Sequence, residues 1–510
     1  MSGPLEALTS WHHEWAGLRV AVFGLGITGF SAADTLVELG ASTTVFSDRL
    51  EANSASAERA DLLAVIGAGL WQPPVGQTLE DGAATSAFDE FCFDLVIVSP
   101  GFSPGHALVA WARRQAVPLW GDVELAWRLR DKVLRRNARG EAVPAPWFTV
   151  TGTNGKTTTV RLATAMIAAA GHRVVACGNV GVPVLDAIRD PQGFDAFVVE
   201  LSSFQLHYTH SISAHSSVCL NVAADHLDWH GSAESYAATK AQVYTNTQVA
   251  CLFNRDDLAT RSMVEEAEVV EGCRAIGFGL GVPGPSDFGV VSDYLLDRAF
   301  LAERHTGALE ITSIEQLTIV GLDAPHLLSN VLAAAALARS FGVSPEAIQN
   351  ALAEFTVDDH RLQVVAHVGG VRWVDDSKAT NPHAAHAAIV AFDSVVWIVG
   401  GLFKGVDLSE IIKSALPRLR AVVLVGAQRD GLHALFTRHA PQLPVFEVVS
   451  TETSQVMSSA VRLAASVAVP GDVVLLAPAA ASMDQFANYA DRGRQFASAV
   501  QDFVGGGSHD

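Results

Sequence analysis

Gly152-Thr153-Asn154-Gly155-Lys156-Thr157-Thr158 stands directly after the apolar run WFTV. A glycine-rich turn at a strand end lets backbone N–H groups face phosphate oxygens. A helix starting there adds the positive end of its dipole. Lys156 can neutralise the β- and γ-phosphates, and the Thr157 hydroxyl can bind Mg²⁺. Strand, loop, Lys-Thr and apolar helix occur in the order a nucleoside-triphosphate site requires.

Two more residues gain meaning from that loop. Glu200, in FVVELSSFQ, ends a buried strand-like run, and His226, in NVAADHLDWH, follows the next one. Ligands of open α/β sheets gather at such strand ends, and Mg²⁺ takes oxygen ligands while keeping several waters. Lys240, in SYAATKAQVY, reads on periodicity as an ordinary helical lysine. A second glycine turn, Gly24-Leu25-Gly26-Ile27-Thr28-Gly29, also follows a strand and opens a helix, with Asp48 ending the next strand. That is the dinucleotide fingerprint, and in isolation it suggests NAD. A dehydrogenase has no use for the phosphate loop, so another nucleotide is expected there.

The elements that position these residues alternate. LRVAVFGLG, TTVFSD, FDLVIVSPG and VPLWGDVELAW read as strands and unit starts separated by helices, which argues for a parallel sheet. RLRDKVLRRNARGEAVPAP reads as a solvated helix end and a tether. WFTV, HRVVACGN, FDAFVVELSS and HSSVCLNVA supply a second sheet, and residues 287–320 have a choppier, β-like pattern. LLSNVLAAAALARSFG predicts a helix ended by Gly342, and SPEAIQNALAEF another with Ser344 as N-cap. VRWVDDS, SVVWIVGG, AVVLVGA, PVFEVVS and GDVVLLAPA supply a third sheet. The expectation is an α/β protein of three domains: residues 1–143 Rossmann-like, 144–356 P-loop ATPase-like and 357–510 Rossmann-like.

Composition narrows the partners. The chain of 510 residues carries a formal charge of −20, which gives it no general attraction to nucleic acid or anionic lipid. Its apolar runs, such as residues 331–338, are too short to span a bilayer, and MSGPLEALTSWHHEW shows no secretory leader. Cys92, Cys177, Cys219, Cys251 and Cys273 are scattered without CxxC pairs, as expected of reduced thiols in the cytoplasm. No nucleic-acid partner, no membrane insertion and a monomer are expected.

TGTNGKTT, GNVG, ELSSFQL and NVAADHLDWHGS closely resemble the central domain of Mur ligases. DHRLQ, DDSKATNPHA, GGLFKG and LLAPAAASMDQFANYADRG resemble the C-terminal domain, in the pattern of the D-glutamate-adding branch. The resemblance covers nearly the whole chain and implies an ATP-dependent amide ligase of peptidoglycan precursor synthesis. ATP would phosphorylate the carboxylate of UDP-N-acetylmuramoyl-L-alanine, and the amine of D-glutamate would attack the acyl phosphate.

Carried over residue by residue, the resemblance implies that Lys156 and the rest of the 152–158 loop bind ATP, with Thr157 and Glu200 on a first Mg²⁺. It implies His226 on a second, joined by a carbamylated Lys240. Asn330, Arg361 and Asp376 would contact ATP, and Lys378 the transferred phosphate. Gly26, Ile27, Thr28, Asp48, Arg49, Ser99, Gly101 and Asn179 would hold the UDP-substrate. Thr380, Lys404, Ser482 and Tyr489 would form the D-glutamate pocket. Gln363, where glutamate is common, and Leu327, where asparagine is common, depart from the pattern. The alternatives are a Mur ligase adding another amino acid, a folylpolyglutamate synthase, which would lack the first glycine turn, and a non-catalytic nucleotide-binding regulator.

Overall fold

A strand buried on both faces needs a continuous apolar run rather than an alternating one, and the strands of this chain are of that kind. In the computed structural model, β1 (Arg19–Phe23) is RVAVF and β4 (Leu95–Val98) is LVIV, both almost wholly buried. The structure describes residues 4–506, apart from residues 52, 53, 82–85, 87, 91, 138, 404, 405, 450 and 451. With β2 (Ser42–Phe46), β3 (Gly69–Trp71) and β5 (Leu119–Gly121) they form a parallel sheet of order β3-β2-β1-β4-β5. The order reverses between β1 and β4, so the crevice at their carboxyl ends is where a ligand fits.

A short hairpin, β6 (Arg135–Arg136) and β7 (Ala142–Val143), precedes the second sheet. Its strands are β8 (Trp147–Thr151), β9 (Val174–Gly178), β10 (Ala196–Glu200), β11 (Ser216–Cys219), β12 (Ala250–Asn254), β13 (Arg274–Phe278), β14 (Asp287–Val291), β15 (Tyr294–Asp297) and β16 (Leu309–Ser313). Their order is β16-β15-β14-β13-β12-β11-β8-β10-β9, parallel from β9 to β14 and antiparallel at β15 and β16. The choppy stretch after residue 287 is this antiparallel extension. The two expected helices span Pro325–Ser340 and Pro345–Ala353, the second capped by Ser344, whose hydroxyl accepts from Ala347 N–H.

The third sheet has β17 (Gln363–Val368) antiparallel at one edge. β18 (Val371–Asp375), β19 (Val395–Gly400), β20 (Leu419–Val425), β21 (Val445–Glu447) and β22 (Val473–Leu476) complete it in the order β17-β18-β22-β19-β20-β21. β3, β5, β12, β13, β17 and the hairpin were not separate strands in the sequence reading. β3, β5, β17 and the hairpin are edge or short strands and β13 opens on a charged residue, so their pairing is decided by the neighbouring strand; β12 is an interior strand, ACLFN, with no charge to break it.

The chain divides into two compact units. One comprises Met1–Val222, Glu234–Asp323 and Leu327–Phe355; the other Ala223–Ala233, Ala324–His326 and Thr356–Asp510. The first unit thus contains both the first and second sheets. One apolar cluster runs through it, with Trp15 edge-on to Trp120 and Trp127 edge-on to Trp147 at 5.2 Å between centroids.

The basic linker corrects the reading of a solvated tether. Arg128 is buried, paired with Glu124 at 2.7 Å and donating to the Leu5 and Leu8 carbonyls. Arg130 stacks on Trp127, and Lys132 covers Trp11 and pairs with Glu38. These cations close the first unit because aromatic faces and a buried carboxylate await them.

The same segment ties the two sheets of this unit together. Glu124 accepts from His210 N–H, Ser211 N–H and the Ser211 hydroxyl, so its charge is satisfied in the interior. Asp122 receives one long side-chain bond, 3.5 Å from Gln205 Nε2, beside weak backbone donors at Asp122 and Val123, and its Oδ1 is enclosed without a partner. Burial pushes its carboxyl up to about 6. The folded state therefore favours the protonated form, a contribution present at acid pH and lost as the pH rises through about 6. Asp122→Asn should raise the unfolding midpoint near pH 8, by a stabilisation on the order of 3 kcal/mol, and the gain should vanish at about pH 4. Thermal scans at the two pH values check this; a pH-independent difference would contradict it.

Candidate active site

β8 runs into the phosphate loop, and the loop's shape depends on one residue above all. Gly155, the N-cap of the helix Lys156–Ala169, has φ +84°, and a Cβ there would lie 2.3 Å from Asn330 Oδ1. Only glycine meets both demands. Asn330 is buried on the opposite helix and packs directly on this turn. Asn221, just past β11, clamps the rest. Its side chain accepts from Asn154 N–H at 2.8 Å and donates to the Asn154 carbonyl, and its own carbonyl accepts from Thr153 N–H. Nothing in the local sequence around Asn221 announced this role.

Two lysines converge on the loop. Lys156 Nζ donates to the Gly152 and Thr153 carbonyls at 2.9 and 3.0 Å. Lys240 is 1% exposed; its Nζ donates to the Gly152 carbonyl at 2.9 Å and to Thr151 Oγ1 at 3.4 Å, and lies over the Tyr236 ring. The Tyr236 hydroxyl in turn meets Thr153 Oγ1 at 3.1 Å. The ordinary helical lysine of the periodic reading is thus an interior residue pointed at the loop. Thr157 is partly exposed in the first helical turn, and the Thr158 hydroxyl is enclosed without a partner.

Glu200 ends β10 beside this loop, paired in register with Val150 of β8. Asn179 Nδ2 donates to Glu200 Oε1 at 2.9 Å, and Asn179 N–H to the Glu200 carbonyl. Glu200 Oε2 is buried with no hydrogen-bond partner. A buried carboxylate oxygen left open is costly unless a cation or donor completes it. Among the described residues no three His, Cys, Asp or Glu side chains group to hold a metal. A single carboxylate does not suit Zn²⁺, but it fits Mg²⁺, which relies on few protein ligands plus water and phosphate.

The first glycine turn lies at the crevice between β1 and β4. A Cβ on Gly29 would fall 2.0 Å from the Gly24 carbonyl, so helix and turn pack as closely as backbone allows. Gly26 and Gly101 face open space, Ile27 is 61% exposed, and Thr28 follows in the first turn. Ser99 Oγ is enclosed here without a partner. Asp48 is exposed and accepts from Leu79 N–H at 2.7 Å; Arg49 beside it is exposed. Arg59 reaches the Leu25 carbonyl at 3.3 Å, a cation at the turn that the motif does not contain. It comes from the next helix, where sequence shows only an amphipathic arginine.

The second unit holds the remaining candidates. His226 has a left-handed backbone (φ 53°) at the start of the helix Leu227–His230, with its N–H on Asp225 Oδ1. Arg361 lies 3.5 Å from Asp358. Asp376 accepts from Leu362 N–H, and burial pushes its carboxyl up to about 7 despite the nearby Arg361 charge. Lys378 Nζ sits 3.8 Å from the centroid of the Tyr489 ring. Thr380 N–H donates to the Lys378 carbonyl, and Ser482 is buried. Lys404 lies outside the described residues.

Both departures from the expected pattern have local reasons. Gln363 Oε1 accepts from His360 N–H while its Nε2 donates to Asp359, a bridge that needs an amide rather than a carboxylate. Leu327 is 4% exposed, where an asparagine would lose water.

Residues 150–338 match the family model described as Mur ligase middle domain, and residues 360–480 match Mur ligase, glutamate ligase domain. The chain is 57% identical to the UDP-N-acetylmuramoylalanine–D-glutamate ligase of Leifsonia xyli subsp. xyli, over 99% of this chain and 96% of that protein. It is 48% identical to the enzyme of the same name from Streptomyces coelicolor, over 96% and 99% of the two chains. In three dimensions it is similar to the UDP-N-acetylmuramate-alanine ligase of Thermotoga maritima, with a TM-score of 0.52, 17% identity and 95% and 99% of the chains covered. It is also similar to a pseudomurein peptide ligase type C of Methanothermus fervidus, with a TM-score of 0.54, 15% identity and 96% and 100% covered. At such identities the solved structures speak for the fold alone.

The loop geometry predicts the effect of one methyl group. Gly155→Ala must strain its own backbone and displace Asn330, so ATP affinity measured by calorimetry should fall about tenfold or more. Parental affinity would show that the loop tolerates a Cβ and does not bind in this form.

Proposed function

The chain belongs to the Mur ligase family, and from that premise we propose that it joins D-glutamate to UDP-N-acetylmuramoyl-L-alanine, converting ATP to ADP and phosphate in peptidoglycan precursor synthesis. One observation carries the chemistry: Lys156 and Lys240 bond a phosphate loop after β8, and Glu200, with one open oxygen, ends the neighbouring strand β10. The choice of D-glutamate is supported by relatives of that name along the whole chain.

The reaction needs charge neutralisation and positioning more than a nucleophilic side chain. Loop amides and the helix Lys156–Ala169 would receive the ATP phosphates, and Lys156 would leave the Gly152 and Thr153 carbonyls for the γ-phosphate. Asn330, which packs against Gly155, would read the base. The alanyl carboxylate attacks the γ-phosphorus, ADP departs, and an acyl phosphate forms. The D-glutamate amine then loses a proton and attacks the carbonyl carbon; the tetrahedral intermediate collapses to the amide and releases phosphate. Thr157 and Glu200 would hold Mg²⁺, which neutralises phosphate charge when bound.

Around the first glycine turn, Gly26, Ile27, Thr28, Ser99 and Gly101 would take the diphosphate, and Asp48 and Arg49 the uracil edge. Asn179 would act on substrate chiefly by holding Glu200. In the second unit Arg361 and Asp376 would contact ATP, Lys378 the transferred phosphate, and Thr380, Lys404, Ser482 and Tyr489 the two carboxylates of D-glutamate. A cytoplasmic enzyme suits its five free thiols. A monomer acting without nucleic acid is the simplest form of this reading, and no helix among the described residues is long and apolar enough to cross a membrane.

Phosphate release, with ATP, Mg²⁺ and the UDP-linked substrate present, should depend on D-glutamate and should not be supported by L-lysine or diaminopimelate. Turnover with a diamino acid alone would leave the family and remove the assigned substrate; no turnover with any amino acid would favour a regulator.

Lys240 offers a second check. Its buried amine, once neutral, can add CO₂ to give a carbamate and a proton, exchanging a cation for two oxygen ligands. Lys240→Ala should lose most activity, and acetate or formate should restore part of it. Unaided activity in Lys240→Ala, with no response to either anion, would return the residue to a structural role.

A further inference from the structure

Arg492 is 1% exposed in the helix Tyr489–Gly506, yet it forms no ion pair among the described residues. Its donors go elsewhere. Nε donates to Ser377 Oγ at 2.9 Å, Nη2 to the Ser377 carbonyl at 2.9 Å, and Nη1 to the Ala480 carbonyl at 3.1 Å. Ser377 Oγ passes the connection on, donating to the Tyr489 carbonyl at 2.8 Å. Ser377 N–H donates to Asp375 Oδ1, and Asp375 Oδ2 meets His360 Nδ1 at 2.6 Å.

One guanidinium therefore joins three separate stretches. They are the loop after β18, which carries Asp376, Lys378 and Thr380; the segment after β22, which carries Ser482; and the head of the last helix, which carries Tyr489. The neighbouring residue sets the depth of that helix. A Cβ on Gly493 would lie 2.2 Å from His360 Nδ1 and 2.6 Å from Asp375 Oδ2, so the helix rests directly on the His360–Asp375 pair. Burial pulls the Arg492 guanidinium down to about 10, which leaves it charged at neutral pH. The charges of Asp484 and Asp375 act on it from beyond contact distance, but burying a cation with no carboxylate in contact is expensive, and an apolar side chain would fill the space at lower cost. What the apolar side chain could not do is hold Ser377 and Ala480 to one another.

We infer that Arg492 is a positioning residue for amino-acid binding: it touches no substrate, but it sets the spacing of Lys378, Thr380, Ser482 and Tyr489. The inference rests on the reading of those residues as the D-glutamate and phosphate groups. Each bond from a charged donor to a buried acceptor is a strong one, and its loss leaves the acceptor unsatisfied. The consequence is a selective one. The first unit, with its glycine turn and phosphate loop, contains none of the acceptors.

Steady-state kinetics of the full chain test this with Arg492→Met, Arg492→Lys and Ser377→Ala. Arg492→Met keeps volume and loses every donor, and should raise the KM for D-glutamate about tenfold or more. Arg492→Lys should recover part of that loss, and Ser377→Ala should show a smaller rise in the same parameter. The KM for the UDP-substrate should stay within about twofold in all three. Combining Arg492→Met with Ser377→Ala should add less than the sum of the two effects, because both break one network. Unchanged D-glutamate KM in Arg492→Met and Ser377→Ala would overturn the inference, as would equal losses for every substrate that track a fall in thermal stability. If Arg492→Met does not fold, Ser377→Ala decides alone. A parent chain that turns over with no D-glutamate response would overturn the functional reading and this inference with it; a D-glutamate-dependent parent with unaffected variants overturns the inference only.

Discussion

The left-handed turn at Gly155 is the constraint on which the rest of the first unit depends. A backbone at φ +84° aims the following amides and the start of the helix Lys156–Ala169 at one point beyond β8. That point is useful only if the loop cannot relax. Asn221 prevents relaxation by bonding Asn154 through both halves of its amide, while Asn330 fills the space that a side chain would take. The loop is therefore a preorganised arrangement of backbone dipoles.

Around that arrangement the charges are distributed with unequal satisfaction. Lys156 and Lys240 are both held by loop carbonyls, bonds that phosphate oxygens or a chemical change at the amine would readily replace. Glu200 has one oxygen on Asn179 and one open. An acidic chain of net charge −20 thus gathers two cations at one loop and leaves one carboxylate oxygen open on the neighbouring strand. Elsewhere in this unit the contrast is clear: Glu124 is saturated by donors and Arg128, as a purely architectural charge should be.

The second unit solves a different problem, the alignment of several loops without a single phosphate-binding turn. It does so with buried polar groups that bind backbone, Arg492 on Ser377 and Ala480, and His360 on Asp375. His360 and Leu362 take left-handed conformations without being glycine, at φ 65° and 45°. Such strain persists where surrounding bonds over-determine it, and here Gln363, Asp375 and Asp376 supply them. Arg361 is thereby presented from a loop with little freedom to collapse.

Much of this was legible in one dimension. Continuous apolar runs announced parallel strands such as β8, β10 and β19, because a strand buried on both faces has no polar side to show. The phosphate loop and the first glycine turn were legible because their chemistry is local: a few consecutive residues make the turn and begin the helix. What neighbours in space decide was not legible. Lys240 has the spacing of a surface lysine, and only the packing of its helix on the sheet makes it an interior one. The linker cations Arg128, Arg130 and Lys132 look solvated until Glu124, Trp127 and Trp11 are brought beneath them. Asn221, Arg59 and Arg492 belong to no local pattern, because each acts on backbone far away in sequence, and hydrogen bonds of that kind exist only once the chain has folded. The sequence by itself determined which chemistry is available and which strand ends carry it; the tertiary structure decided which charges are satisfied, which are left open, and what holds them in place.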